Sequence, residues 1–172
     1  MLTTEELDII YEWGMTTELP YKMAPTAEGY SNQPIGMCWM KGTGKGFSGV
    51  RESLIDDKRV VDILSKDEVL FATGAMFYAG TKLPKHRDPP VYPDRYRRIH
   101  IPLVIPCDRC CYMIWDGKKI PWESGKYSVW DVQDVTHEAY NVSDDDMELI
   151  LSLIHISEPT RLLSISFAVI CV

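Results

Sequence analysis

"RIHIPLVIP", Arg98 to Pro106, alternates with a period of two: Arg98, His100 and Pro102 fall on one face of an extended strand, Ile99, Ile101 and Leu103 on the other. One face is core. The other either lines a site inside a barrel or meets solvent, and polarity alone leaves both open. Around this strand lie further short runs: "VLFATGAMFYAG" from Val69, "CYMIW", "YSVWDV", "HEAYNV" and "MELIL". Turn signals separate them, namely Gly80, a Pro-rich loop, "DGKK", "ESGK" and "SDDD". This spacing predicts an all-β sandwich or barrel over 69–150.

Upstream, residues 1–68 read as a helical and loop part packed outside the barrel. "TTEELDIIYEWG" predicts a helix capped by Thr3 or Thr4, with Leu7, Ile10 and Trp13 at helical spacing and Gly14 as its stop. Residues 15–49 are rich in Gly, Pro, Ser and Thr, which predicts loops and short edge strands. "GTGKG" lacks the phosphate-loop spacing and reads as a plain turn. "DDKRVVDILSKDE" predicts a second helix with Val60, Val61 and Leu64 as its apolar stripe.

At 172 residues and 45% hydrophobic, the chain suits one domain with a real core. A net charge of −7 argues against duplex nucleic acid as a partner, because phosphate contacts need a basic face. The N-terminus lacks a basic region followed by an apolar one, and no apolar run reaches the ~18 residues of a membrane helix. A cytoplasmic protein with no membrane partner is expected. Five cysteines in no paired pattern agree with a reducing compartment, and "CDRCC" (Cys107, Cys110, Cys111) is expected to hold ordinary thiols at a strand end. A structural zinc site would need a second Cys/His pair nearby.

"LSLIHISEPTR", Leu151 to Arg161, resembles the frame-one translation of a transposase-type sequencing-library adapter at all eleven residues. Residues 151–172 are therefore expected to be a non-native tail outside a single domain of 1–150, with the last strand truncated. The alternation of Leu149, Leu151 and Leu153 against Ile150, Ser152 and Ile154 would also permit an apolar C-terminal strand.

His86 and Asp88 are two apart in "KHRDPP", so an extended segment stiffened by Pro84, Pro89 and Pro90 can point both the same way. His137 stands fifty-one positions after His86. Two histidines and one carboxylate on one side of a metal leave three adjacent positions open, the arrangement of non-haem Fe(II) oxygenases. Residue types alone leave a zinc-dependent hydrolase or isomerase open, with Glu138 as the near base, and also a non-catalytic cupin-like metal-binding module.

From about Ala75 to Ile150 the chain resembles the aspartyl/asparaginyl β-hydroxylase family of Fe(II)/2-oxoglutarate oxygenases. The lines that carry the likeness are "YAGTKLPKHRD", "RIHIPLVIP" and "WESGKYSVWDVQDVTHEAYNVSDDD". The resemblance implies a double-stranded β-helix, a jelly-roll, cupin-like barrel. It implies His86, Asp88 and His137 as catalytic metal ligands, and Arg98 and His100 as 2-oxoglutarate contacts. Fe(II), 2-oxoglutarate and O2 would be the cofactor and cosubstrates, and an amino acid, a peptide or another small molecule the substrate. Two positions depart from the family. Met147 stands where an arginine would meet the far carboxylate of 2-oxoglutarate, and Ala75 where a serine would assist. For Met147, a misread arginine codon or a real change with Arg98 or Lys82 supplying the charge is favoured over loss of 2-oxoglutarate use, because the His86, Asp88 and His137 set is intact. Lys82, Lys85, Arg87, Arg95, Arg97 and Arg98 give the stretch a positive field suited to an anion, the outer members being solvated.

Overall fold

The computed structural model describes residues 2–24, 31–44, 47–88, 96–144 and 148–156, the last as backbone. Among the described residues eleven strands form two sheets, with two helices outside. The strands are β1 (Lys22–Ala24), β2 (Ile35–Gly44), β3 (Phe47–Val50), β4 (Val69–Phe77), β5 (Lys82–His86), β6 (Tyr96–Val104), β7 (Cys111–Trp115), β8 (Lys118–Pro121), β9 (Ser128–Trp130), β10 (His137–Asn141) and β11 (Glu148–Ile156). The large sheet runs β1-β2-β4-β11-β6-β9, with β3 hairpinned onto β2, and the small sheet runs β5-β10-β7-β8. This is the expected jelly-roll, mainly β.

Helix α1 (Thr4–Thr16) begins on a capping box: the Glu6 amide donates to Thr3 Oγ1 at 3.2 Å and the Thr3 amide to Glu6 Oε2 at 2.9 Å. Gly14 does not end it. The helix runs to Thr16, where the Thr17 amide closes on the Trp13 carbonyl at 3.0 Å, and Gly14 is buried. Helix α2 (Lys58–Leu64) starts at Asp57, and its buried stripe is Val60, Ile63 and Leu64, Val61 being only partly covered. Leu7, Ile10, Trp13, Val60, Ile63 and Leu64 pack on Ile99, Ile101 and Leu103 of β6. That settles the face of β6: its aliphatic side meets the helices and its Arg98–His100 side turns into the barrel. A second core, with Phe77, Tyr96, Met113, Trp122, Trp130 and Val132, fills the space between the sheets.

Three expectations are corrected. Residues 15–49 hold more than loops and edge strands, since β2 is a ten-residue interior strand between β1 and β4. Glycine hides it in the sequence and is required by close approach: a Cβ at Gly36 would lie 3.1 Å from that of Met76. The residues flanking the "GTGKG" tip pair Gly44 with Phe47, as a turn between strands requires, while residues 45–46 lie outside the described ones. Second, Cys107 and Cys110 are joined in a disulfide rather than held as thiols. The turn that closes the Cys110 amide on the Cys107 carbonyl brings their Cα atoms to 5.5 Å, inside the bonding range.

Third, the last strand does not stop at Ile150. Residues 151–156 continue β11 between β4 and β6, pairing Leu151 with Gly74 and Ile101, and Ser152 with Thr73 and His100. An alternating apolar segment completes the ladder of two strands that would otherwise expose unpaired edges, which is physical reason enough for it to pair. Residues 157–172 lie outside the described ones.

Candidate metal centre

β5 and β10 pair antiparallel with His86 directly opposite His137, which places the two rings side by side at the end of the small sheet, centroids 4.3 Å apart. Asp88 follows two residues after the strand, its amide donating to the Val132 carbonyl at 3.0 Å, and that bond turns the carboxylate back over the rings. Its Oδ1 lies 3.7 Å from His86 Nε2 and 3.6 Å from His137 Nε2. All three candidate ligand atoms fall within 4.8 Å of one another.

The donor set fits a divalent metal. His86 Nδ1 sits 2.7 Å from the Pro84 carbonyl and His137 Nδ1 3.2 Å from the Val135 carbonyl, so each ring keeps its proton on Nδ1 and offers the Nε2 lone pair to the centre. Ligands about 2.1 Å from a metal at right angles to one another stand roughly 3 Å apart, so the two carboxylate–imidazole distances need close by about 0.6–0.7 Å. Burial alone would raise the Asp88 carboxyl, but the neighbouring His137 and the charge of Arg98 outweigh it and hold it below the ordinary carboxylate range. Burial pushes His86 below the usual histidine value, and His137 beside it adds to the effect. A neutral His86 imidazole beside an ionised Asp88 results.

The strand β6 supplies the next layer. Arg98 Nη2 lies 2.6 Å from Asp88 Oδ2, an ion pair outside ideal hydrogen-bond alignment. His100 is buried and pushed down to about 3, first by burial and then by the charges of Arg98 and His137. Its Nδ1 has no partner among the described residues, nor has the Trp122 indole Nε1; the Trp122 ring meets His100 edge-on at 5.6 Å. All of these except Asp88 line one cavity of about 70 Å3, whose remaining walls include Ile35, Met37, Phe77, Leu83 and Met113. Trp115, which pairs with His137 across β7 and β10, stands 6.0 Å from its ring and 4.9 Å from Trp130.

A family model described as aspartyl/asparaginyl β-hydroxylase matches residues 53–155. The chain belongs to the aspartyl/asparaginyl β-hydroxylase family. Solved structures agree on the fold. A 2OG-Fe(II) oxygenase family oxidoreductase from Burkholderia pseudomallei superposes with a TM-score of 0.60 at 12% identity, covering 86% of this chain and 78% of that one. A predicted oxalate decarboxylase from Thermotoga maritima superposes at 0.52 and 12% identity, covering 81% and 95%. No curated protein matches the sequence.

The hydroxylase-family motifs now have structural meaning. In "HEAYNVS", Asn141 is fully buried, its Nδ2 donating to the Phe77 carbonyl at 3.0 Å while its Oδ1 accepts from the amide and hydroxyl of Ser143; this ties the far end of β10 to β4. In "WESGK", Gly125 has φ +77° and its amide donates to the Pro102 carbonyl at 3.0 Å, which holds the turn on β6. Ala75 does reach the cavity wall. Lys82, Lys85, Arg87 and Arg97 are exposed and Lys82 lines no part of the cavity, while Met147 and Arg95 lie outside the described residues. The sequence reading missed Ile35, Met37, Thr73 and Met113 as cavity walls. β2 had no alternation to announce it, and a lone apolar residue on a strand gives no sign of the cavity it faces.

No helix among the described residues is long and apolar enough to cross a membrane.

Proposed function

We propose that this protein is an Fe(II)- and 2-oxoglutarate-dependent dioxygenase that hydroxylates a C–H bond of an amino acid, a peptide or another small substrate. The observation that carries the reading is the convergence of His86, Asp88 and His137 on one point beside a cavity whose cation is Arg98. Bound there, iron would supply dioxygen activation coupled to oxidative decarboxylation of the 2-oxo acid.

The chain's own residues do the positioning. His86 and His137 present lone pairs whose direction is set by the Pro84 and Val135 carbonyls. Asp88 brings one negative charge, kept ionised by Arg98. Arg98 and His100, facing the cavity from one strand, would orient the acid's carboxylate. Trp115 and Trp130 shield the His137 side from water.

A zinc hydrolase would need a general base at the metal. Glu138 is a poor one: strand alternation turns it away from His137, and it accepts a hydrogen bond from the Tyr140 hydroxyl. The experiment is anaerobic titration of the protein with Fe(II) and then with 2-oxo acids. A visible metal-to-ligand charge-transfer band supports the oxygenase. Tight Zn(II) binding with no band under any 2-oxo acid would overturn it in favour of the hydrolase or the binding module.

A further inference from the structure

Depth in the barrel runs along β7 and β10. His137 stands opposite Trp115 at the metal end and Asn141 opposite Cys111 at the other, about 14 Å away at ~3.4 Å per residue. Trp122 is anchored at this far end, where its amide donates to the Cys111 carbonyl at 2.9 Å. A little further along the chain, the Gly125 amide ties the same turn to the Pro102 carbonyl of β6. From that anchor the indole reaches back between two rings: Phe77 of β4, tilted with centroids 6.5 Å apart, and His100 of β6, edge-on at 5.6 Å. All three side chains line the cavity that His86 and His137 border.

Trp122 is 4% exposed, and its Nε1 is buried with no hydrogen-bond partner among the described residues. An indole N–H can only donate. Left unmet in the interior it destabilises the fold, and an acceptor bound in the cavity would meet it. Along β6, Arg98 stands beside Asp88, and His100 is two residues further in, about 7 Å at ~3.4 Å per residue. A five-carbon 2-oxo dicarboxylate with its oxo end by Arg98 carries its second carboxylate to the depth of the His100 and Trp122 rings. The two positions that the resemblance gives to that carboxylate are Ala75, on the cavity wall, and Met147, and neither a methyl nor a thioether donates a hydrogen bond. Thr73 in the same wall directs its hydroxyl proton to backbone, with the Cys38 carbonyl at 3.0 Å and the Gly74 carbonyl at 3.2 Å. The Trp122 indole is a donor not yet spent.

We propose that Trp122 is a further binding residue for the 2-oxo acid, its indole N–H donating to the carboxylate that 2-oxoglutarate carries away from the metal. The inference rests on the dioxygenase reading above and adds to it one residue and one hydrogen bond. It gives the cavity a means of preferring a 2-oxo dicarboxylate over a monocarboxylic 2-oxo acid of the same length.

The test compares 2-oxoglutarate with 2-oxopentanoate, which keeps the chain and lacks the second carboxylate. In the nitrogen-15-labelled protein, loaded with Zn(II) as a diamagnetic ion, the five tryptophans give five indole N–H resonances. That of Trp122, assigned by its loss in Trp122→Phe or by its contacts with His100, is expected to move most on saturation with 2-oxoglutarate and little with 2-oxopentanoate. In the Fe(II)-loaded protein under anaerobic conditions, the charge-transfer band reads affinity. Trp122→Phe is expected to weaken 2-oxoglutarate binding about tenfold and 2-oxopentanoate binding less than about twofold. If the variant does not fold, the wild-type resonance decides. An unmoved Trp122 resonance at saturation, or equal losses for the two acids, overturns the inference and leaves the dioxygenase reading standing, since the band still forms. No band with 2-oxoglutarate overturns both.

Discussion

Arg98 reaches across from β6 to place Nη2 2.6 Å from Asp88 Oδ2, so the carboxylate that faces two histidines through one oxygen is held by a guanidinium through the other. Asp88 thus turns one oxygen to the two histidines, where a metal would sit, and one to Arg98. Arg98→Met is expected to lower metal affinity by about 10- to 100-fold, as loss of a partner behind a ligand does. Arg98→Lys should recover only part of it, lacking the planar fork. Competition of Co(II) against a chelator measures both, and an unchanged affinity in Arg98→Met would mean that the pair is incidental.

Replacing a ligand should act on stability as well as on chemistry. A metal at 100 times its dissociation constant stabilises a folded protein by about 2.7 kcal/mol. The wild type is expected to show that gain as a raised melting temperature with Co(II) or Zn(II). His137→Ala and Asp88→Asn should show little of it and no turnover. Full metal-dependent stabilisation in His137→Ala would remove that residue from the site.

His100 gives a pH dependence whose sign can be worked out. An unfolded histidine takes up its proton near pH 6.5, but the folded one only at about 3, so the unfolded chain holds the extra proton in between. Stability of the metal-free protein should therefore fall as pH drops from about 6.5 to 5, by up to ~1.4 kcal/mol per pH unit for one such group. His86, also lowered, acts in the same direction. Urea midpoints across this range should give a shallower slope for His100→Gln than for the wild type; equal slopes would place the titration elsewhere.

Glu6 closes the α1 capping box and also accepts an ion pair from Lys66, and these partners hold its carboxyl below the ordinary range. A depressed carboxyl contributes stability above its unfolded value and loses it as pH falls through the folded one. Glu6→Gln, which keeps an acceptor for the cap and loses the ion pair, should thus be less stable than the wild type at pH 7, by up to about 1 kcal/mol. The gap should close towards pH 3. A gap that persists there would show that shape rather than charge matters at this position.

Much of the site could be read from residue order. His86, Asp88 and His137 were visible as types and spacings, and the structure brings all three together. Arg98 and His100 were visible as one face of a strand whose orientation was open. What decided it was α1 and α2, which cover the Ile99–Ile101–Leu103 face and leave the polar face to the cavity. β2 was illegible in part because Gly36 answers to Met76 and Tyr21, neighbours that no local pattern can announce. At the C-terminal end the alternation of residues 149–154 suits a strand, and β11 runs through to Ile156.

By itself, the sequence determined what is local and periodic: a capped helix opening at Thr3 or Thr4, a second helix with Val60 and Leu64 on its apolar side, the two-residue beat of β6, and a candidate ligand set of two histidines and one carboxylate. Those follow from bonding and side-chain spacing within a few residues. The tertiary structure alone decided which face of β6 is wet, that His86 stands opposite His137, that Arg98 pairs with Asp88, and that the cavity runs from a cation on β6 to methionine and isoleucine on β2. Each of these depends on the register between strands far apart in the chain. Register is set by burying one face of every strand at once, a condition on the whole barrel that no single stretch of sequence carries.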